Sequence, residues 1–190
     1  MTWKEIETRR LCLRPLRAED EFMLAAALND FEVSRWLSRV PHPYARADAV
    51  SFIKAQEDSD PRNRICAITF KSAPAVAIGV VSYEYLTGQD APEFGYWLGR
   101  AFWRRGIMSE AAAALLTHGF GEGIQTFASG YWNPASGALL KKLGFVQIGT
   151  SRMQSAALGR EVECVKLRLD RARTFGLSGM HAFHEKGRAA

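Results

Sequence analysis

Polar and apolar residues alternate over 9–16, with Leu11 and Leu13 on one face, and this period of two predicts a first strand. Good helix formers then run from Arg17 through Phe22, Met23 and Ala25 to Leu28 and predict a helix. A second, short helix is expected over 31–37, stopped by Pro41 and Pro43. Over 46–56, Ala49, Phe52, Ile53 and Gln56 recur at helical spacing, and 58–61 reads as a turn. Residues 64–71 and 76–86 form a predicted hairpin joined through Ser72, Ala73 and Pro74. Gly88, Gln89 and Asp90 lead into a strand from Glu93 to Leu98, dense in aromatic and branched residues. A basic loop over 99–106 follows. Ser109, Glu110 and the alanines after them open a helix that runs to about Phe120 and ends at Gly121 and Gly123. Residues 125–132 predict a strand. Asn133 and Pro134, a good cap and a good first residue, start a short helix that buries Leu139, Leu140 and Leu143 and ends at Gly144. Residues 145–152 and 161–169 form a last hairpin around Gly159.

This order of elements implies an α+β fold: a mixed, mostly antiparallel central sheet flanked by helices, in a single domain. The domain is expected over 8–170, with 171–190 a loosely ordered C-terminal tail. No apolar run approaches the roughly 18 residues that a membrane span needs. The first residues carry no apolar signal core, so a cytoplasmic protein is expected. Cys12, Cys66 and Cys164 each sit in a strand-like run and read as small buried apolar residues. No metal-ligand spacing is present, and the four histidines form no cluster. The net charge of +5 admits a nucleic acid, a polyanionic cofactor or an acidic partner. The charges are scattered except at the basic loop and the tail, which argues against nucleic acid.

The chemistry concentrates between Glu93 and Ser109. A strand that passes through a glycine-punctuated turn into a helix points backbone N–H groups outward at the helix start, an anion site most often used for phosphate. Arg104 and Arg105 add positive charge there, and Gly106 stands among bulky neighbours where close backbone approach would demand it. Trp97 and Trp103 flank the turn, and each needs packing or a partner for its N–H. By spacing alone, an ordinary strand–loop–helix with a solvated basic turn is equally admissible.

Several stretches resemble the GCN5-related N-acetyltransferase (GNAT) superfamily, closest to the RimJ/RimL-like branch of ribosomal-protein N-terminal acetyltransferases. They are residues 8–16, the 93–110 block, Asn133-Pro134-Ala135-Ser136, and Lys142-Leu143-Gly144-Phe145, with a looser match around Ser155 and Gly159. The resemblance implies acetyl-CoA as cosubstrate and no metal. It assigns pairing with the pantetheine arm to the backbone of Trp97 and Leu98. It assigns the pyrophosphate to the loop Trp103, Arg104, Arg105, Gly106, Ile107 and Met108 and to the helix start at Ser109. Met108 stands where the family has a small residue, so crowding at the helix start is expected. Asn133 matches a cofactor-contacting residue and is also a plain helix cap. Ser136 matches a branch position near the thioester sulfur and is also a polar residue of a first helical turn. The superfamily often places a Tyr seven residues after that Asn as acid for the thiolate; here the position is Leu140.

The implied reaction moves an acetyl group to a primary amine. Glu93, at the start of the strand that would hold the thioester, is the candidate base, and Glu84 is a weaker one; either reads equally as a solvent-facing strand residue. A free α-amine has a pKa of about 7.7–8.0, against about 10.4 for lysine, so far more of it is neutral near pH 7.5. The expected acceptor is therefore an amine-bearing small molecule or a peptide or protein N-terminus. A homodimer is left open. The rival readings are an acyl-CoA-binding regulatory domain without turnover, which Leu140 and Met108 favour, and a basic nucleic-acid-binding protein.

Overall fold

In a computed structural model, which describes residues 3–173, the strands are β1 (Ile6–Glu7), β2 (Leu11–Pro15), β3 (Arg64–Phe70), β4 (Ala73–Glu84), β5 (Glu93–Leu98), β6 (Thr126–Tyr131), β7 (Val146–Ser155) and β8 (Arg160–Asp170). The helices are α1 (Glu21–Leu28), α2 (Phe31–Ser34), α3 (Arg46–Ala55), α4 (Ile107–Gly121) and α5 (Pro134–Lys142). Among the described residues all eight strands join one sheet, in the order β1-β2-β3-β4-β5-β6-β8-β7. Every neighbouring pair is antiparallel except β5 with β6. This is the mixed, helix-flanked α+β sheet that the element order predicts. Of the expected tail, 171–173 forms a short 3-10 turn, and 174–190 lie outside the described residues.

Three of the differences from the sequence expectation have a local physical reason. β1 is only two residues long, too short for alternation to register. β4 begins at Ala73, so Ala73 and Pro74 belong to the strand and not to the turn. The pairing slips there: Thr69 faces Ala77 and Phe70 faces Ala73, an irregularity that accommodates a proline without a ladder N–H. α4 begins at Ile107, two residues early, because Gly106 turns into the left-handed region at φ 69° and redirects the chain.

Alternation sends side chains to two cores. On one face Leu11, Leu13, Ile68, Val81, Tyr83, Phe94, Leu98 and Phe127 pack against the alanine- and leucine-rich side of α4 and against Leu140 and Leu143 from α5 and its end. On the other face Ala67 and Ala77 meet Leu24, Leu28, Val33, Tyr44 and Ala49 from the first three helices and their connections, with Trp97 against them. Cys12, Cys66 and Cys164 are buried free thiols, as expected. Arg14 and Asp20 form a buried bidentate pair, with bonds of 2.8 and 2.7 Å, which fixes the entry to α1 against β2.

A second polar cluster ties α4 to the start of the chain. Glu110 accepts the Thr8 hydroxyl at 2.7 Å, the Arg10 N–H at 2.9 Å and the Arg10 Nε at 2.7 Å. Burial alone would raise its pKa, but these donors outweigh burial and hold the carboxyl below its ordinary value. A depressed folded-state pKa adds stability that is complete above the unfolded value of about 4.5 and is lost as pH falls through the folded one. Urea midpoints measured from pH 6 to pH 3 should therefore fall less steeply below pH 4.5 in Glu110→Gln than in the wild type, with the variant less stable at pH 6. Parallel acid limbs would show that Glu110 contributes no such linkage.

Candidate active site

The site begins where two neighbouring strands part. β5 and β6 run parallel and share a single paired position, Glu93 with Ala128, flanked by an Ala128 N–H bond to the Pro92 carbonyl at 3.0 Å. Beyond it the Ser129 hydroxyl donates to the Phe94 carbonyl at 2.9 Å, and the strands then separate. The Gly99 N–H donates to the Ile78 carbonyl at 2.9 Å, which sets the phase of the β4–β5 ladder. Antiparallel alternation then turns the peptide groups of Trp97 and Gly95 toward β4, and those of Tyr96 and Leu98 away from it, into the gap. The free edge of β5 thus belongs to Tyr96 and to the Leu98 N–H. Leu98 lies where expected; the Trp97 backbone does not, because it is spent on Val80 in the ladder. The Trp97 side chain packs against the second core instead.

The gap leads to the basic turn. Arg104 and Gly106 both take positive φ, 59° and 69°, so the turn doubles back before α4. No side chain caps α4, and its first-turn N–H groups face outward. Arg104 and Arg105 are exposed beside them and form no ion pair among the described residues. The Arg10 Nη1 donates to the Arg105 carbonyl at 3.2 Å, which turns the opposite end of that peptide, the Gly106 N–H, outward. Trp103 closes the turn onto the strand, its Nε1 donating to the Leu98 carbonyl at 2.7 Å. Ile107 is buried in the core, Ser109 is half-buried, and Met108 rests against the main core.

Across the gap stands the start of α5. The Asn133 Oδ1 caps it by accepting the Ala135 N–H at 3.0 Å, which leaves the side-chain NH₂ as a donor. Ser136, one turn in, meets the Tyr96 hydroxyl: their oxygens are 2.8 Å apart, and the phenol also lies 3.2 Å from the Ser136 carbonyl. Burial pushes the Tyr96 phenol up to about 12, so it stays protonated. Leu140 is fully buried and points no group into the gap.

Glu93 occupies the other face of β5, with its register partner Glu84 opposite on β4. Gln89 Nε2 donates to Glu93 Oε2 at 3.2 Å. Glu84 is held by Ser82 Oγ at 3.3 Å and Arg39 at 3.4 Å. The structure therefore brings together Leu98, the 103–109 turn, Asn133 and Ser136 along one gap, and sets Glu93 at its closed end. Tyr96 and Arg10 are the site residues that sequence reasoning passed over. The alternation Phe94, Tyr96, Leu98 carried a signal for Tyr96, the one phenol on that face of the strand. No local signal marks Arg10.

Residues 10–146 match the family model of the acetyltransferase (GNAT) domain. The uncharacterized N-acetyltransferase p20 of Bacillus licheniformis is 32% identical over 117 residues, which are 60% of this chain and 64% of that protein. The chain thus spans a little under two thirds of the length of this curated relative. Among solved structures, a GNAT-family acetyltransferase from Bacillus anthracis superposes with a TM-score of 0.74 over 88% of this chain and 98% of that one, at 17% identity. Mycobacterium smegmatis RimJ, in complex with CoA-disulfide, superposes at 0.69 over 85% and 82%, with 17% identity. RimL, a ribosomal-protein α-N-acetyltransferase in complex with coenzyme A, superposes at 0.71 over 88% and 98%, with 20% identity. These structural likenesses speak for the fold, and with the family model matched across most of the sheet the chain belongs to the GNAT acetyltransferase family.

Proposed function

We propose that this protein is an acetyl-CoA-dependent N-acetyltransferase that acetylates a primary amine by direct attack on the thioester, with 8–170 as the catalytic domain and a cytoplasmic location. One observation carries the reading: the unpaired edge of β5 opens directly onto the uncapped, arginine-flanked start of α4. A pantetheine arm needs amide partners along an extended edge, and a diphosphate needs N–H groups and cations at its end. Membership of the GNAT family and the coenzyme A held by RimJ and RimL support it.

In this reading Leu98 and Tyr96 hold the arm, with Asn133 as a further donor. Trp103, Arg104, Arg105, Gly106, Ile107, Met108 and Ser109 form the phosphate turn. When bound, acetyl-CoA supplies an acetyl group activated as a thioester. The amine loses its proton to Glu93, directly or through water. As the nitrogen–carbon bond forms, the N–H groups that face the gap stabilise the charge on the carbonyl oxygen. The carbon–sulfur bond then breaks. Ser136 donates a hydrogen bond to the departing sulfur while the Tyr96 phenol donates to Ser136 and orients it. A thiol has a pKa of about 8.5, so this assistance is modest. A regulatory domain without turnover would bind acetyl-CoA and release no thiol with any amine, which separates the two readings in one assay.

Binding is tested first. Acetyl-CoA should quench or shift the fluorescence of Trp103 saturably and raise the melting temperature, and desulfo-CoA should do the same. In Gly106→Val, which adds a branched side chain at a left-handed position, affinity should drop at least tenfold, about 1.4 kcal/mol, with a native far-UV spectrum. Equal affinity would make the turn purely structural. Glu93→Gln should lower kcat/KM by about 10²–10⁴ near neutral pH and leave acetyl-CoA affinity unchanged. Wild-type turnover between pH 6.5 and 9 would remove Glu93 from the mechanism. Tyr96→Phe should cut kcat by roughly tenfold or less below pH 8 and converge on the wild type above the thiol pKa of about 8.5. Ser136→Ala should behave alike, and the double variant should be no worse than either. A pH-independent loss in Tyr96→Phe would assign the phenol to packing alone.

A further inference from the structure

Next to Glu93 lies a cavity of about 320 Å³ walled by the β4–β5 loop, β6, β7 and β8. That volume is near the lower end for small-ligand sites. The cavity is divided by charge. Asp90 and Glu93 stand on the loop side, and Lys166 and Arg168, alternate residues of β8, stand on the far wall. Between them lie Ala128 and Gly130 of β6, small residues that face Arg168 and Lys166 in register, with Thr126 and Ser129 of the same strand also in the wall. A Cβ at Gly130 would come within 2.8 Å of the Cys164 sulfur, so the floor is held low.

The two cations differ. Arg168 is engaged, its Nε donating to Asp170 at 2.8 Å and its Nη2 to Thr126 at 3.1 Å. The Lys166 ammonium has no hydrogen-bond or ion-pair partner among the described residues. Its backbone lies two strands and two residues from Glu93, on the order of 12 Å away by strand geometry. The two side chains shorten that gap to the length of a small molecule.

We propose that this cavity is the acceptor site and that it takes a small primary amine bearing a carboxylate, with the amine at Glu93 and the carboxylate on Lys166. The proposal rests on the acetyl-transfer reading and narrows its acceptor to the amino-acid class. A second ammonium on the acceptor would face Lys166 and Arg168 and be repelled. A carboxamide would leave the Lys166 charge without its counter-ion. The reaction is the one given above: the nitrogen–carbon bond forms, the carbon–sulfur bond breaks, and the amine proton leaves through Glu93.

The test uses the full chain with the protein amino acids and β-alanine, each beside its carboxamide, and expresses kcat/KM per neutral amine. Binding of the same ligands to the desulfo-CoA-loaded protein is measured by calorimetry. At least one pair should favour the carboxylate tenfold or more. The ratio should fall to about one in Lys166→Met and below one in Lys166→Glu. Transfer without carboxylate preference, or a preference that survives Lys166→Met, overturns the proposal and leaves acetyl transfer standing. Carboxylate-selective binding that depends on Lys166 without any transfer upholds the ligand class and overturns acetyl transfer. Neither binding nor transfer with any member of the panel overturns the proposal.

Discussion

The site depends on a defect in backbone pairing. A sheet gains by satisfying every N–H and C=O, and an internal strand with open groups is costly unless something occupies them. β5 is such a strand: it is central in the sheet, fully paired to β4, and paired to β6 only at its first residue. A parallel neighbour that diverges leaves a wedge whose wall is peptide groups rather than side chains. Recognition by such a wall does not depend on side-chain identity.

The wedge persists because each flank is fixed independently. On one flank α4 is buried through Ile107, Ala111, Ala112 and Leu115 and clamped at Glu110 by Thr8 and Arg10. On the other, β6 is committed to β8 over its whole length, and α5 is fixed by its Asn133 cap and by Leu140 in the core. Closing the gap would uproot one of these. Side chains bridge it instead: Ser129 to Phe94 at the closed end, and Tyr96 to Ser136 further along. Arg10 joins the clamp to the turn, so the connection between the first two strands also sets the direction of a peptide in the basic turn before α4.

Most strands and helices were legible because their signals are local: alternation in β2, the Asn-Pro start of α5, the glycine-punctuated turn before α4. The glycine-punctuated basic turn was legible for the same reason. The direction of the Trp97 peptide was not, since it follows from the phase of the β4–β5 ladder, which one hydrogen bond from Gly99 reveals. The early start of β4 was hidden because Pro74 argues for a turn, and only the slipped register at Thr69 and Phe70 makes room for it in a strand. The Glu110 clamp joins residues about a hundred positions apart, and no sequence pattern links them. Lys166 reaches the neighbourhood of Glu93 only because β8, not β7, lies beside β6.

Leu140 shows why a departure from a family pattern need not remove a function. From its place on α5 the Leu140 side chain turns into the main core and is fully buried, so no phenol there could reach the gap without unpacking that core. Tyr96 brings a phenol to the same gap from the strand, already bonded to Ser136. The two steps of the reaction also make unequal demands. A thiolate with a pKa of about 8.5 leaves readily near neutral pH, whereas an alkylamine with a pKa of about 10 is protonated almost entirely and must be stripped first. An acid by the sulfur is therefore the part whose relocation costs least. In the proposed mechanism the groups on the opposite face of β5, where the amine would lose its proton, decide which amines react, and there the family resemblance supplies the least and the charges of this chain supply the most.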